Sequence, residues 1–213
     1  MITFDATSSS GGVTNSTITL SHTVGAGSNR ILLVGVKTPH TSGVTGVTYN
    51  GVALTKAFSN NGGGATGVNQ EIWYLTAPST GANDIVVSLA SSVLAYVGGA
   101  SFFGAEQSSP IDASAYNTAG SVFSFSNSIT TVTDDVLLFD VCLVPNSTLT
   151  PQETDASWTN NPAFGLQAQY QVVGAAGAYS NDWTSGSSNT FYGIIIGVKP
   201  PQSVFGSFLL NFI

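Results

Sequence analysis

Arg30-Ile31-Leu32-Leu33-Val34-Gly35-Val36 is a short, nearly unbroken apolar run, entered through Gly27-Ser28-Asn29 and left through Lys37-Thr38-Pro39. Consecutive apolar positions, rich in branched residues and bounded by turn formers, describe a strand buried on both faces. The chain writes the pattern twice more, as Val136-Leu137-Leu138-Phe139-Asp140-Val141-Cys142-Leu143-Val144 and as Phe191-Tyr192-Gly193-Ile194-Ile195-Ile196-Gly197-Val198. Everything else reads as shorter, half-polar strands and turns packed around these three.

Working outward, alternation predicts strands over residues 2–6 and 16–24, separated by a Ser-Gly loop over 8–12. Residues 47–55 enclose Asn50-Gly51. That pair between alternating apolar residues predicts a hairpin, because a type I′ turn needs positive φ at both central positions. Further strands are expected over 71–75, 84–89, 95–103, 123–132, 166–173 and 175–179. Loops are expected over 108–120 and 145–162, and turns at 133–135 and 180–182. Residues 16–36 and 124–141 echo one another: an alternating Ser/Thr strand, a polar turn, then an Ile/Val-Leu-Leu strand. An ancient duplication would give that echo, but recurring hairpin physics produces the same pattern and is the favoured reading.

About a dozen short strands and no helical periodicity predict an all-β protein, an antiparallel β-sandwich or jelly roll. With no linker in view, residues 1–199 form one domain, followed by an apolar tail over 200–213. The tail holds Phe205, Phe208, Leu209, Leu210, Phe212 and Ile213 after Pro200-Pro201. It is either a last core strand or a segment that docks on a neighbouring subunit, since left bare it invites aggregation.

Charged residues make up only 7% of the 213, against roughly 25% in ordinary domains. The polar surface is therefore built from Ser, Thr, Asn and Gln. Arg30, Lys37, Lys56 and Lys199 are the only fixed cations, and the net charge is -7. Four scattered cations make no phosphate-binding face, so nucleic acid is not an expected partner. They also offer no anchor to an anionic membrane, and no apolar run reaches the roughly 18 residues a spanning helix needs. Cys142 is the only cysteine, which excludes an intrachain disulfide and predicts a buried small hydrophobe. Met1-Ile2-Thr3-Phe4-Asp5 has no basic or apolar leader, which predicts synthesis and retention in the cytoplasm. The composition, in contrast, is that of an extracellular surface. A virion protein assembled inside a bacterial host and exposed after release meets both conditions; secretion or cell-surface display is the alternative.

The chemistry-bearing residues form no motif. His22 and His40 are the only histidines, and no Gly-x-Ser-x-Gly elbow accompanies them. The carboxylates make no recognisable catalytic pair, and Asp134-Asp135 lacks the spacing of a calcium loop. Asp140 is the odd one, a carboxylate inside an apolar strand. Neither catalysis nor a metal or other cofactor is expected. Trp158 with Asn160, and Trp183 with Asp182, combine an aromatic ring with amide or carboxylate neighbours, the make-up of a glycan contact. Their alternative is as large aromatics capping the core.

Three segments together, Asn29-Arg30-Ile31-Leu32-Leu33-Val34-Gly35-Val36, Val47-Thr48-Tyr49-Asn50-Gly51-Val52-Ala53-Leu54-Thr55 and Glu71-Ile72-Trp73-Tyr74-Leu75-Thr76-Ala77-Pro78, resemble Gly/Ser/Thr-rich β-sandwich proteins of tailed-phage virions and some bacterial surface proteins. The resemblance spans roughly residues 16 to 144 and lies in strand and turn patterning. It implies a non-enzymatic role in capsid decoration or in a tail fibre or spike, with other copies or other virion proteins as partners. Carbohydrate binding or adhesion is the second expectation.

Overall fold

A computed structural model describes residues 1–60, 67–144, 147–155 and 165–201. Among them the chain is all-β and antiparallel, in two sheets. The first comprises β1 (Thr3–Val24), β2 (Ile31–Pro39), β3 (Val44–Tyr49), β4 (Val52–Ala53), β5 (Thr55–Asn60), β6 (Val68–Thr76) and β7 (Gly81–Phe103). The second comprises β8 (Ile111–Thr130), β9 (Leu137–Leu143), β10 (Leu149–Pro151), β11 (Thr154–Asp155), β12 (Gln167–Val172) and β13 (Ala178–Val198).

Four of these strands run 20 residues or more. β1 and β7 pair from Thr3↔Phe103 to Val24↔Gly81, with register shifts near Ser9/Gly12 and Asn15/Thr17. Bulges bend a strand, and this ribbon doubles back: Gly25 N–H, just past its end, donates to Asp5 Oδ2 near its start at 2.9 Å. One half of the ribbon lies beside β2, the other beside β3. A single ribbon thus supplies both layers of a sandwich.

The second sheet repeats the plan. The first is ordered β4-β3-β7-β2-β6-β5 with β1 on β7; the second is ordered β10-β13-β9-β12-β11 with β8 on β13. Replacing β3, β7, β2, β6, β5 and β1 by β10, β13, β9, β12, β11 and β8 converts the first order into the second, with only the two-residue β4 left without a counterpart. The echo in the sequence therefore extends to six strands of each half, which corrects the favoured hairpin reading, since one recurring hairpin does not explain it.

Burial on both faces of β2 now has a cause. Ile31 and Leu33 pack with Ile72, Ala100 and Phe102 against Leu137, Phe139, Val141, Ile194 and Ile196 of the second sheet. Leu32, Val34 and Val36 face the other way, onto Ile18, Val47, Tyr49, Ile85 and Val87 of their own sheet. β9 is likewise buried throughout. The three apolar runs are the strands at which the two sandwiches meet.

Several sequence expectations are corrected. The loop expected over 8–12 is strand, part of β1, and residues 84–89 and 95–103 belong to the single β7. β8 starts at Ile111, inside the loop expected over 108–120, and the turn expected at 180–182 is interior to β13. The Asn50-Gly51 hairpin forms as expected, with φ of 49° and 76° and Tyr49 facing Val52.

Candidate functional site

Each sandwich interior carries a buried polar constellation, around Asp140 in the second and His22 in the first. In the second, Asp140 of β9 is fully buried, on the face opposite Phe139 and Val141. Asn181 Nδ2 donates to its Oδ1 at 2.8 Å. Asn127 Nδ2 and Trp183 Nε1 donate to its Oδ2 at 2.9 and 2.7 Å. Gly193 makes room for this: a Cβ there would lie 2.7 Å from Asn127 Nδ2. Burial pushes the Asp140 pKa up to about 7 from 3.8, against the downward pull of the Asn181, Asn127, Trp183 and Gln169 side chains. Asn127, Asn181 and Trp183 all donate, so both oxygens act as acceptors, the arrangement that suits an ionised carboxylate. A protonated carboxyl would set its own hydrogen against one of those N–H groups.

The network reaches the surface by two routes. Because Asn181 donates to Asp140, its Oδ1 is an acceptor, and it takes Gln171 Nε2 at 2.6 Å. Gln171 Nε2 also donates to Ser180 O at 2.8 Å. By the second route, Gln169 Oε1 accepts the backbone N–H groups of Gln152 and Glu153 at 3.1 and 3.0 Å. Both routes end at an open groove of about 710 Å³, whose lining includes Ser128, Thr130, Glu153, Gln171, Tyr179 and Ser180.

In the first sandwich His22, 1% exposed, bridges two serines. Its Nδ1 lies 2.9 Å from Ser8 Oγ and its Nε2 3.1 Å from Ser101 Oγ. Ser101 Oγ donates to Asp5 Oδ2 at 2.7 Å. A hydroxyl has one hydrogen, so Ser101 accepts from Nε2–H, and Nδ1 accepts from Ser8. Desolvation lowers the His22 pKa to about 4, with Asp5 pulling weakly upward. At neutral pH the ring is uncharged and a poor base, and its work is to satisfy buried hydroxyls.

The sequence candidates fall into place unevenly. Trp183 is fully buried, with no face to offer a sugar, which corrects its reading as a glycan contact. Its indole satisfies the buried carboxylate, so the core alternative is where it sits. Asp182 points to the opposite side of the strand, half-buried, and accepts Ser180 Oγ at 3.1 Å. Trp158 and Asn160, and the tail residues Phe205, Phe208, Leu209, Leu210, Phe212 and Ile213, lie outside the described residues. Cys142 is buried and its thiol pKa is raised well above 9.0, chiefly by desolvation. Asp134 closes a turn by accepting Ala176 N–H at 2.7 Å.

Three of the four cations are spent on structure. Arg30 donates to the carbonyls of Pro78 and Gly27, both at 2.9 Å. Lys37 is buried over the Tyr96 ring, 4.8 Å from its centroid. Lys56 pairs with Glu71 at 3.0 Å and covers Trp73. Among the described residues no group of three His, Cys, Asp or Glu side chains is placed to hold a metal ion, and no helix is long and apolar enough to cross a membrane. The alternation over 123–132 already hinted at Asn127 facing inward with Phe125 and Ile129. Gln169, Gln171, Tyr179 and Glu153 carried no such signal, because what joins them is tertiary.

No family model matches this chain, and no curated protein matches its sequence.

Proposed function

We propose that the protein is a non-enzymatic structural component of a virion, a capsid decoration or a tail fibre or spike subunit, that acts by assembling with further copies of itself. The observation that carries this reading is the outer edge of β1. Among the described residues β1 is paired as a strand with β7 alone, so no second strand is paired along the other edge of this 22-residue strand. Its side chains Thr17, Thr19, Ser21 and Thr23 are exposed hydroxyls, and Asp5 is its only formally charged residue. Monomeric proteins blunt such edges with lysine, proline or a covering loop, because a bare edge is a template for another chain. The sparsely charged, hydroxyl-rich composition and the apolar sequence after Pro201 support the same role. Sedimentation of the full chain is expected to show a discrete oligomer. A paired Thr19→Lys and Ser21→Lys substitution on the edge reduces it to monomer. A monomer at all concentrations, never joining a particle, overturns the reading.

A second reading, recognition of a surface carbohydrate on a virion or a cell, is favoured by the polar groove beside Tyr179.

A further inference from the structure

We propose that the groove where β8, β12 and β13 converge binds an uncharged saccharide, and that the buried Asp140 network is what orients its polar groups. This deepens the carbohydrate reading above and does not depend on assembly through β1.

A sugar site needs an apolar ring to lie against and polar groups already fixed in direction. The groove has both. Tyr179 contributes the ring, and its hydroxyl is tied to Ala175 O at 2.6 Å, which limits rotation of the side chain. Gln171 contributes an amide whose direction is set from inside. Asp140 takes the Asn181 Nδ2 hydrogens, Asn181 Oδ1 takes Gln171 Nε2, and Gln171 Oε1 is left as the acceptor. An isolated surface glutamine flips freely between its two orientations; this one is fixed by a carboxylate two residues deeper. Glu153 contributes an anionic acceptor, held at the groove by the Gln169 side chain under its backbone N–H. Ser128, Thr130 and Ser180 complete the polar lining, Ser180 with its carbonyl as the second acceptor of Gln171 Nε2.

The electrostatics select the ligand class. Among the described residues the lining includes one carboxylate and no lysine, arginine or histidine. A sialylated or uronate sugar meets repulsion from Glu153 with nothing to offset it, whereas sugar hydroxyls donate well to a carboxylate and to an amide oxygen.

The test is a titration of the isotopically labelled full chain with lactose, maltose and diacetylchitobiose, and with 3′-sialyllactose as the anionic comparison, all at millimolar concentration. At least one neutral sugar is expected to shift the amides of residues 128–130, 171 and 178–180. Tyr179→Ala and Gln171→Ala are each expected to weaken that binding roughly tenfold or more. Glu153→Gln is expected to narrow the gap between the neutral and sialylated sugars. Because binding is mapped on the unaltered protein first, a misfolded variant cannot decide the outcome. Shifts mapping elsewhere overturn the groove while leaving a carbohydrate function standing. No binding of any of these sugars overturns both. Equal binding of 3′-sialyllactose overturns the selection for neutral sugars.

Discussion

Trp183 Nε1 donates to Asp140 Oδ2 at 2.7 Å, and neither side chain reaches solvent. Above about pH 7 the Asp140 carboxylate is a buried charge that no cation opposes among the described residues, and it then depends on such donors. Trp183→Phe keeps the ring and removes the hydrogen bond, and is expected to cost about 1–3 kcal/mol. Asp140→Ala strands the Asn127, Asn181 and Trp183 donors together and is expected to cost more, about 3–5 kcal/mol. Urea denaturation of both variants measures the order. Equal stability of Asp140→Ala and the parent would mean that the network does not hold the sandwich together.

The two polar constellations pull in opposite directions with pH. The unfolded chain protonates histidine near 6.5, whereas folded His22 waits until about 4, so acidification across that range favours unfolding. Folded Asp140 takes its proton at about 7, the unfolded chain only near 3.8, so acidification across that range favours folding. Between about 4 and 6.5 the two slopes, each about 1.4 kcal/mol per pH unit, cancel. Stability of the parent is therefore expected to be flat there. His22→Asn should grow more stable on acidification over that window, and Asp140→Asn less stable. Denaturation midpoints collected from pH 4 to 7 check it, and a steep slope in the parent contradicts it.

Close packing at the ribbon's end gives a prediction without titration. A Cβ on Gly27 would fall 2.4 Å from the Phe103 ring, while one on Gly46 meets nothing within 4 Å. Gly27→Ala is expected to cost about 1–3 kcal/mol through overpacking, and Gly46→Ala to stay within about 0.5 kcal/mol. Thermal unfolding of the pair separates them.

At the β3–β4 turn the constraint is torsional. Gly51 has a φ of 76° and open space around its Cα. Gly51→Ala is expected to cost about 1 kcal/mol with no steric clash, and Gly51→Asn, which tolerates that φ, less. Equal melting points for all three would show that the turn is not strained by a side chain.

Which of these features could be read from the chain depends on the range of the interaction. Residues 31–36, 136–144 and 191–198 declare burial because every position along them except Tyr192 is buried. Asn50-Gly51 declares its turn because the requirement is local. The long strands were hidden for a physical reason. Ser8-Ser9-Ser10-Gly11-Gly12 has loop composition, yet β7 hydrogen-bonds along it, and the ribbon needs its bulges and the φ of 63° at Gly11 to bend there. Trp183 next to Asp182 looked like a surface pair, and only the two-residue strand repeat and the distant Asp140 send the ring inward. The groove was invisible, since Glu153, Gln171 and Tyr179 meet only after β11, β12 and β13 are in place.

The doubled-back ribbon has a mechanical consequence. In a sandwich of separate strands, a pull on one layer peels it from the other at the weakest loop. Here β1 and β7 cross from layer to layer as a continuous pair, and β8 and β13 do the same. Tension on either layer passes along the ribbon as shear, loading many backbone hydrogen bonds at once instead of unzipping them one by one.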